Sequence, residues 1–356
     1  MVRLLLFALS VLSTGPFLVS AMFNATNSEM MSVYSANRIR VPDVPENYFL
    51  AKAGRSVGPE VREASWDAPE MMKRAQPAPH WAIYQNKWTL GGPPPVANVR
   101  GFNAYYLTFL LTIGHWDMAQ EWVSIGAAER QRIKGLYNAA GIKLMVAAFG
   151  ATEEPTSGGK DPVAIANQMA KWVKDYGVDG IDVDYEDFPA FAAGTGENWL
   201  IAFTRQLRAQ LPASAGYIIT HAPVAPWFTP SLYPGGGYLK VHREVGSLID
   251  WYNLQFYNQG TSEYTTCAGL LDRSSNTWPQ TALFQIAANG VPVDKLVIGK
   301  PAAIGDANNG FMTPALLAQC VQQAKNRGWN GGAMVWQYPN AQASWAQTVR
   351  SLSWPI

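Results

Sequence analysis

The chain has 356 residues, 48% of them hydrophobic and only 15% charged. It is too apolar and too weakly charged to be disordered, and long enough to bury a large core without metals or many staples. Lys plus Arg total 27 against 26 for Asp plus Glu, so no basic excess draws the protein to nucleic acid or to an anionic membrane, and an uncharged partner is expected.

At the N-terminus, Arg3 precedes an apolar run over residues 4–12 broken only by Ser10, and Val19-Ser20-Ala21 offers small residues for cleavage. This pattern predicts a signal peptide over residues 1–21 and a secreted, extracellular protein. The run is too short to span a bilayer; an uncleaved anchor is the alternative, and Gly15-Pro16 weighs against it. Residues 22–78 contain Val41-Pro42-Asp43-Val44-Pro45 and Ala75-Gln76-Pro77-Ala78-Pro79, which break any helical or strand period. They read as a leader or linker with little packing of its own, carrying the glycosylation sequon Asn24-Ala25-Thr26. In an oxidising compartment Cys267 and Cys320 are expected to pair, with two separate buried thiols as the alternative. Two Cys and four His make a zinc site improbable; no metal and no cofactor are expected.

From residue 79 to 356 the pattern becomes regular. Apolar or β-branched runs begin near Trp81, Tyr105, Lys143, Gly180, Tyr217, Trp251, Lys295 and Gly332, separated by 24 to 44 residues. That spacing suits a strand, a crossover helix and the next strand. The clearest helix opens at Asp161-Pro162 and carries Ile165, Met169, Trp172, Val173 and Tyr176 on one face. Eight such units predict an α/β fold, a (β/α)8 TIM barrel forming one catalytic domain. An open doubly wound sheet competes, but Gly91-Gly92-Pro93-Pro94-Pro95 is too rigid for its phosphate turn.

The chemistry concentrates in Asp179-Gly180-Ile181-Asp182-Val183-Asp184-Tyr185-Glu186. Strand alternation places Asp182, Asp184 and Glu186 on one face and Ile181, Val183 and Tyr185 on the other. Like charges roughly 6.6 Å apart in a poorly solvated interior cannot all ionise cheaply, so stability alone would not choose this row. A surface acidic run does not explain the interleaved Ile and Val. A calcium loop fails because Asp187 and Ala193 stand where it needs Gly and Glu. Coupled carboxylates share protons and can hold one acid protonated near working pH, and Glu186, outermost at the strand's C-terminal end, is the expected proton donor.

The 179–186 run resembles the D-x-x-D-x-D-x-E signature of glycoside hydrolase family 18, the chitinases and endo-β-N-acetylglucosaminidases. Gln255-Phe256-Tyr257-Asn258 resembles the sixth-strand motif of plant- and fungal-type members, Trp336 sits where the family keeps an eighth-strand Trp, and the whole is most similar to secreted, basidiomycete-type fungal chitinases. The resemblance implies a retaining reaction in which the substrate's 2-acetamido oxygen attacks the anomeric carbon while Glu186 protonates the glycosidic oxygen. Asp184 would bind the acetamido N–H, Asp182 would support Asp184, Tyr257 would donate to the acetamido oxygen, and Trp336 would floor the sugar. Asp179 faces the other way and reads as structural. Gln255, Asn258, Tyr84 and Trp227 are further expected substrate contacts, with Trp88 and Trp116 as aromatics that could stack on sugars or simply pack.

One departure stands out: the family's third strand typically carries a Ser-x-Gly-Gly motif, and this chain has Ala147-Ala148-Phe149-Gly150. The missing hydroxyl is expected to leave Asp182 less satisfied, to raise its pKa and to reduce activity without abolishing it. The expected partner is chitin or another N-acetylglucosamine-containing oligosaccharide, acted on by a monomer. An N-glycan endoglycosidase and a binding-only lectin are the alternatives, the latter disfavoured by the intact Glu186.

Overall fold

Residues 77–356 are described by a computed structural model. The expected signal peptide, the sequon at Asn24 and all but the last two residues of the expected 22–78 leader lie outside the described residues. Nine strands form the sheet: β1 His80–Gln85, β2 Ala104–Leu111, β3 Gly114–His115, β4 Lys143–Phe149, β5 Gly180–Asp184, β6 Ile218–His221, β7 Trp251–Gln255, β8 Leu296–Pro301 and β9 Gly332–Trp336. All but β3 pair in parallel, and β1 pairs with both β2 and β9, so the sheet closes on itself. Closure decides for the barrel over an open sheet. It depends on Gly332, whose φ of 100° is a left-handed conformation and whose missing Cβ would lie 1.9 Å from the His80 carbonyl oxygen.

Between the strands run the crossover helices α1 Asp117–Ser124, α2 Ala127–Ala139, α3 Pro162–Asp175, α4 Phe188–Ala193, α5 Gly196–Gln210, α6 Gly237–Val245, α7 Cys267–Leu271, α8 Leu283–Ala288, α9 Pro314–Asn326 and α10 Ala343–Arg350. As expected from its sequence, α3 is capped by the Asp161 carboxylate, which accepts from the Ala164 N–H at 2.7 Å, and it buries Ile165, Met169, Trp172 and Val173. Two apolar layers result. One lies between strands and helices and includes Ile181, Val183 and Tyr185; the other fills the barrel with Tyr84, Tyr106, Met145, Ala147, Trp251, Val297 and Met334. Among the described residues no helix is long and apolar enough to cross a membrane.

Cys267 and Cys320 are joined, tying the start of α7 to α9 across 53 positions. Replacing both by Ala is expected to cost on the order of 4 kcal/mol of unfolding free energy, chiefly by enlarging the unfolded ensemble. Urea melts of the variant and of the intact protein check this; coincident midpoints would contradict it.

Candidate active site

The alternation expected for β5 holds. Asp182 and Asp184 face the barrel interior, both buried, and Glu186 follows just past the strand's C-terminal end with part of its surface open. The backbone at this exit is pinned. Asp187 accepts from the Ala190 N–H at 3.1 Å, capping α4, and from the Ser157 N–H at 2.7 Å, which ties the loop after β4 to the residue beside Glu186. At the opposite end of the strand Asp179 accepts from the Leu144 N–H at 2.7 Å and pairs with Lys134 at 2.8 Å, the structural role its orientation implied.

Asp182 is the best-bonded of the three acids. Tyr84 on β1 donates to its Oδ2 at 2.7 Å, and Thr220 on β6 and Asn253 on β7 donate to its Oδ1. Burial pushes its pKa up to about 6 while these three donors pull it down. Asp184 is raised well above the carboxylate range, first by burial and then by the charges of Glu186 and Asp182. Burial pushes Glu186 up to about 7, opposed by the Gln255 amide. Gln255 Nε2 bridges the two upper acids, 2.9 Å from Asp184 Oδ1 and 3.3 Å from Glu186 Oε1, and also donates to the Ala222 carbonyl. The amide meant for substrate is thus committed to the acids. The row therefore grades from a fully bonded acid at the bottom to a partly open acid at the mouth that holds its proton near neutrality.

Asn253, Gln255 and Tyr257 continue one inward face along and past β7. Tyr257 is 6% exposed and packs in the barrel cluster, against which the half-buried Trp336 also packs. Its hydroxyl pKa is raised by burial and by the nearby charges of Asp184, Glu186 and Asp182, and among the described residues no hydrogen bond engages that hydroxyl. Trp336, at the end of β9, sits 6.0 Å from the Tyr84 and Phe109 rings. Two expected sugar contacts are placed elsewhere. Trp227 is 1% exposed and stacked on Phe191 at 3.9 Å, in the layer between barrel and helices, so it offers no face to a sugar. Tyr84 is 2% exposed, stacked on Tyr106, and bonded to Asp182; it orients an acid rather than a ligand. Asn258 commits its Oδ1 to the Asn308 N–H at 2.8 Å. Trp88 is 44% exposed.

Residues 106–348 match the model of glycosyl hydrolases family 18. The chain belongs to that family. It is 28% identical to a chitinase of Enterococcus faecalis over 226 residues, 59% of this chain and 62% of that protein. With endochitinase 3 of Metarhizium anisopliae it is 31% identical over 171 residues, 47% of this chain and 49% of that protein. The matched stretches thus span about half to two thirds of these relatives. In fold it is similar to a family 18 chitinase from Pseudoalteromonas aurantia, with a TM-score of 0.61 at 24% identity over 77% of this chain and 99% of that one. A fungal endo-β-N-acetylglucosaminidase of family 18 gives 0.55 at 21% identity over 77% and 98%.

Among family 18 barrels the Ala147 departure takes on a different meaning. The expectation that Asp182 is left less satisfied is corrected: Ala147 and Thr220 lie opposite Asp182 on the two flanking strands, β4 and β6, and the Thr220 hydroxyl supplies a donor from the other side. The Asp182 pKa is raised, but by burial. Sequence reading missed Thr220, Asn253 and Tyr106, whose hydroxyl receives the Asn253 amide at 3.1 Å. A signal existed for Asn253, since Asn253, Gln255 and Tyr257 alternate with Tyr252, Leu254 and Phe256. Ala147→Ser is accordingly expected to change kcat/KM by less than about threefold, while Thr220→Val, which strips a buried carboxylate of a donor, lowers it roughly tenfold. Paired steady-state kinetics of the two variants check the ordering.

Proposed function

We propose that the protein is a secreted chitinase of the fungal, basidiomycete-type kind, cutting β-1,4 bonds between N-acetylglucosamine units internally and with retention of configuration. The observation that carries this reading is the Asp182–Asp184–Glu186 row, its two inner acids buried and a proton-holding Glu186 at the mouth, with Tyr257 and Trp336 in the barrel cluster. Retention follows if the substrate supplies the nucleophile. The acetamido oxygen attacks the anomeric carbon as the glycosidic C–O bond breaks, and the Glu186 proton goes to the departing oxygen, leaving a cyclic oxazolinium and a glutamate. The glutamate then takes a proton from water, which opens the ring with a second inversion. Asp184 accepts the acetamido N–H, and its raised pKa falls as the adjacent oxazolinium gains positive charge. Asp182, held by Tyr84, Thr220 and Asn253, steadies Asp184 from below, and Tyr257 donates to the acetamido oxygen.

In this reading residues 1–21 are removed on export, residues 22–78 are a leader, residues 79–356 form the catalytic unit, and the enzyme works extracellularly as a monomer on a neutral glycan, with no cofactor, nucleic acid or membrane. Mass spectrometry of products from chitin oligosaccharides and from a high-mannose glycoprotein, each with wild type and Glu186→Gln, tests it. Shortened oligosaccharides from the first substrate, lost in the variant, support a chitinase; release of the glycan alone reassigns the activity to N-glycans; binding without turnover makes it a lectin.

A further inference from the structure

We propose that Lys300 is a positioning residue for Tyr257, acting with Asn258 as a buried clasp that locks the loops after β7 and β8 together; this rests on the activity proposed above. Lys300 lies near the end of β8, points out of the barrel and is fully buried. Its ammonium meets no carboxylate among the salt bridges of the described residues. Instead Nζ donates to three carbonyls from three segments: Phe256 at 2.7 Å, Tyr264 at 2.7 Å and Gly310 at 3.1 Å. A buried cation is costly unless its protons are bonded, and burial pushes this lysine's pKa down, so the site keeps a costly group where Met or Leu would fill the space.

The three carbonyls show what the lysine secures. Phe256 immediately precedes Tyr257. Gly310 lies against Tyr257, with a φ of 89°, and a Cβ there would come within 2.6 Å of the Tyr257 Cα. The strap around Gly310 is further sewn to the Tyr257 segment by Asn258 N–H to the Asn309 carbonyl at 3.1 Å, Asn308 N–H to Asn258 Oδ1 at 2.8 Å and Gly260 N–H to Asn309 Oδ1 at 3.0 Å. Tyr257 stands past the last residue of β7. No sheet pairing fixes it there, and the clasp supplies the constraint that a donor to the acetamido oxygen needs. The left-handed φ of 66° at Asn258 is the bend by which the chain leaves Tyr257 and reaches the strap.

The test is a double-mutant cycle of Lys300→Met with Tyr257→Phe on chitin oligosaccharides, joined to hydrogen–deuterium exchange. Lys300→Met is expected to lower kcat by roughly 10- to 100-fold with KM moved less than about threefold. In the Tyr257→Phe background it should cost no more than about twofold further, because its effect passes through a hydroxyl already gone. Faster exchange over residues 256–266 and 308–310 should accompany it. Wild-type kcat in Lys300→Met, or a loss that adds fully to that of Tyr257→Phe, overturns the proposal. If Lys300→Met does not fold, the half-buried Asn258→Ala takes its place in the cycle, and additivity there overturns the proposal equally. If wild type cleaves no substrate, the activity reading fails separately, and the clasp is judged by exchange: unchanged protection in those two stretches sinks it.

Discussion

Glu186→Gln is expected to lower kcat on chitin oligosaccharides by roughly 10²- to 10⁴-fold, the span a positioned general acid contributes, while oligosaccharide affinity stays within about threefold. Gln matches Glu in shape and keeps a partner for Gln255, so the surrounding packing persists and only the transferable proton is lost. Because Glu186 must begin protonated, wild-type kcat/KM should fall as pH rises through about 7, the value to which burial lifts this acid. The same shift sets a stability trend. A carboxyl whose folded pKa lies above its unfolded value contributes stability that is full below the unfolded value, about 4.3 for Glu, and lost as pH rises through the folded one. Glu186→Gln should therefore melt above wild type at pH 8 and show no gain at pH 4. Full activity in the variant, measured by product release, would remove Glu186 from the chemistry.

Removing the acetamido group from the substrate should be as damaging as removing the acid. If the nucleophile is the acetamido oxygen, its pre-set geometry removes an entropy barrier that reaches on the order of 7–11 kcal/mol in well-oriented cases. Among the described residues the barrel interior offers no uncommitted carboxylate in its place, since Asp182 accepts from three donors and Asp184 is held by Gln255. Fully deacetylated glucosamine oligomers are expected to be cleaved at least about 10³-fold more slowly than acetylated ones of equal length. Comparable rates on both, followed by chromatography of the products, would demand a nucleophile from the protein.

Much of this was legible because two periods coincide with two functions. Period-2 alternation put Asp182, Asp184 and Glu186 on one side of β5, and the strand–helix spacing predicted the barrel at whose mouth the last of them is partly open. The aromatics were harder. An indole past a strand end looks the same in one dimension whether it floors a sugar or packs beneath a helix, and only the stacking of Trp227 on Phe191 separates it from Trp336. Polar residues that serve the acids from other strands were invisible for a related reason: Thr220, Tyr84 and Asn253 meet Asp182 across 38, 98 and 71 positions of sequence. Local reading counted the hydroxyl that Ala147 lacks and could not see the one arriving from the far neighbour. Lys300 is the extreme case: nothing in its local sequence singles out this charge, and it lies at the centre of a loop junction.

The most direct measurement is a carbon-13 NMR titration of the side-chain carboxyls in the free protein, wild type against Glu186→Gln. The account requires a glutamate resonance that titrates with a midpoint near 7 and is missing from the variant. If every glutamate titrates near its ordinary value of about 4.3, Glu186 is ionised at neutral pH and has no proton to give to a glycosidic oxygen.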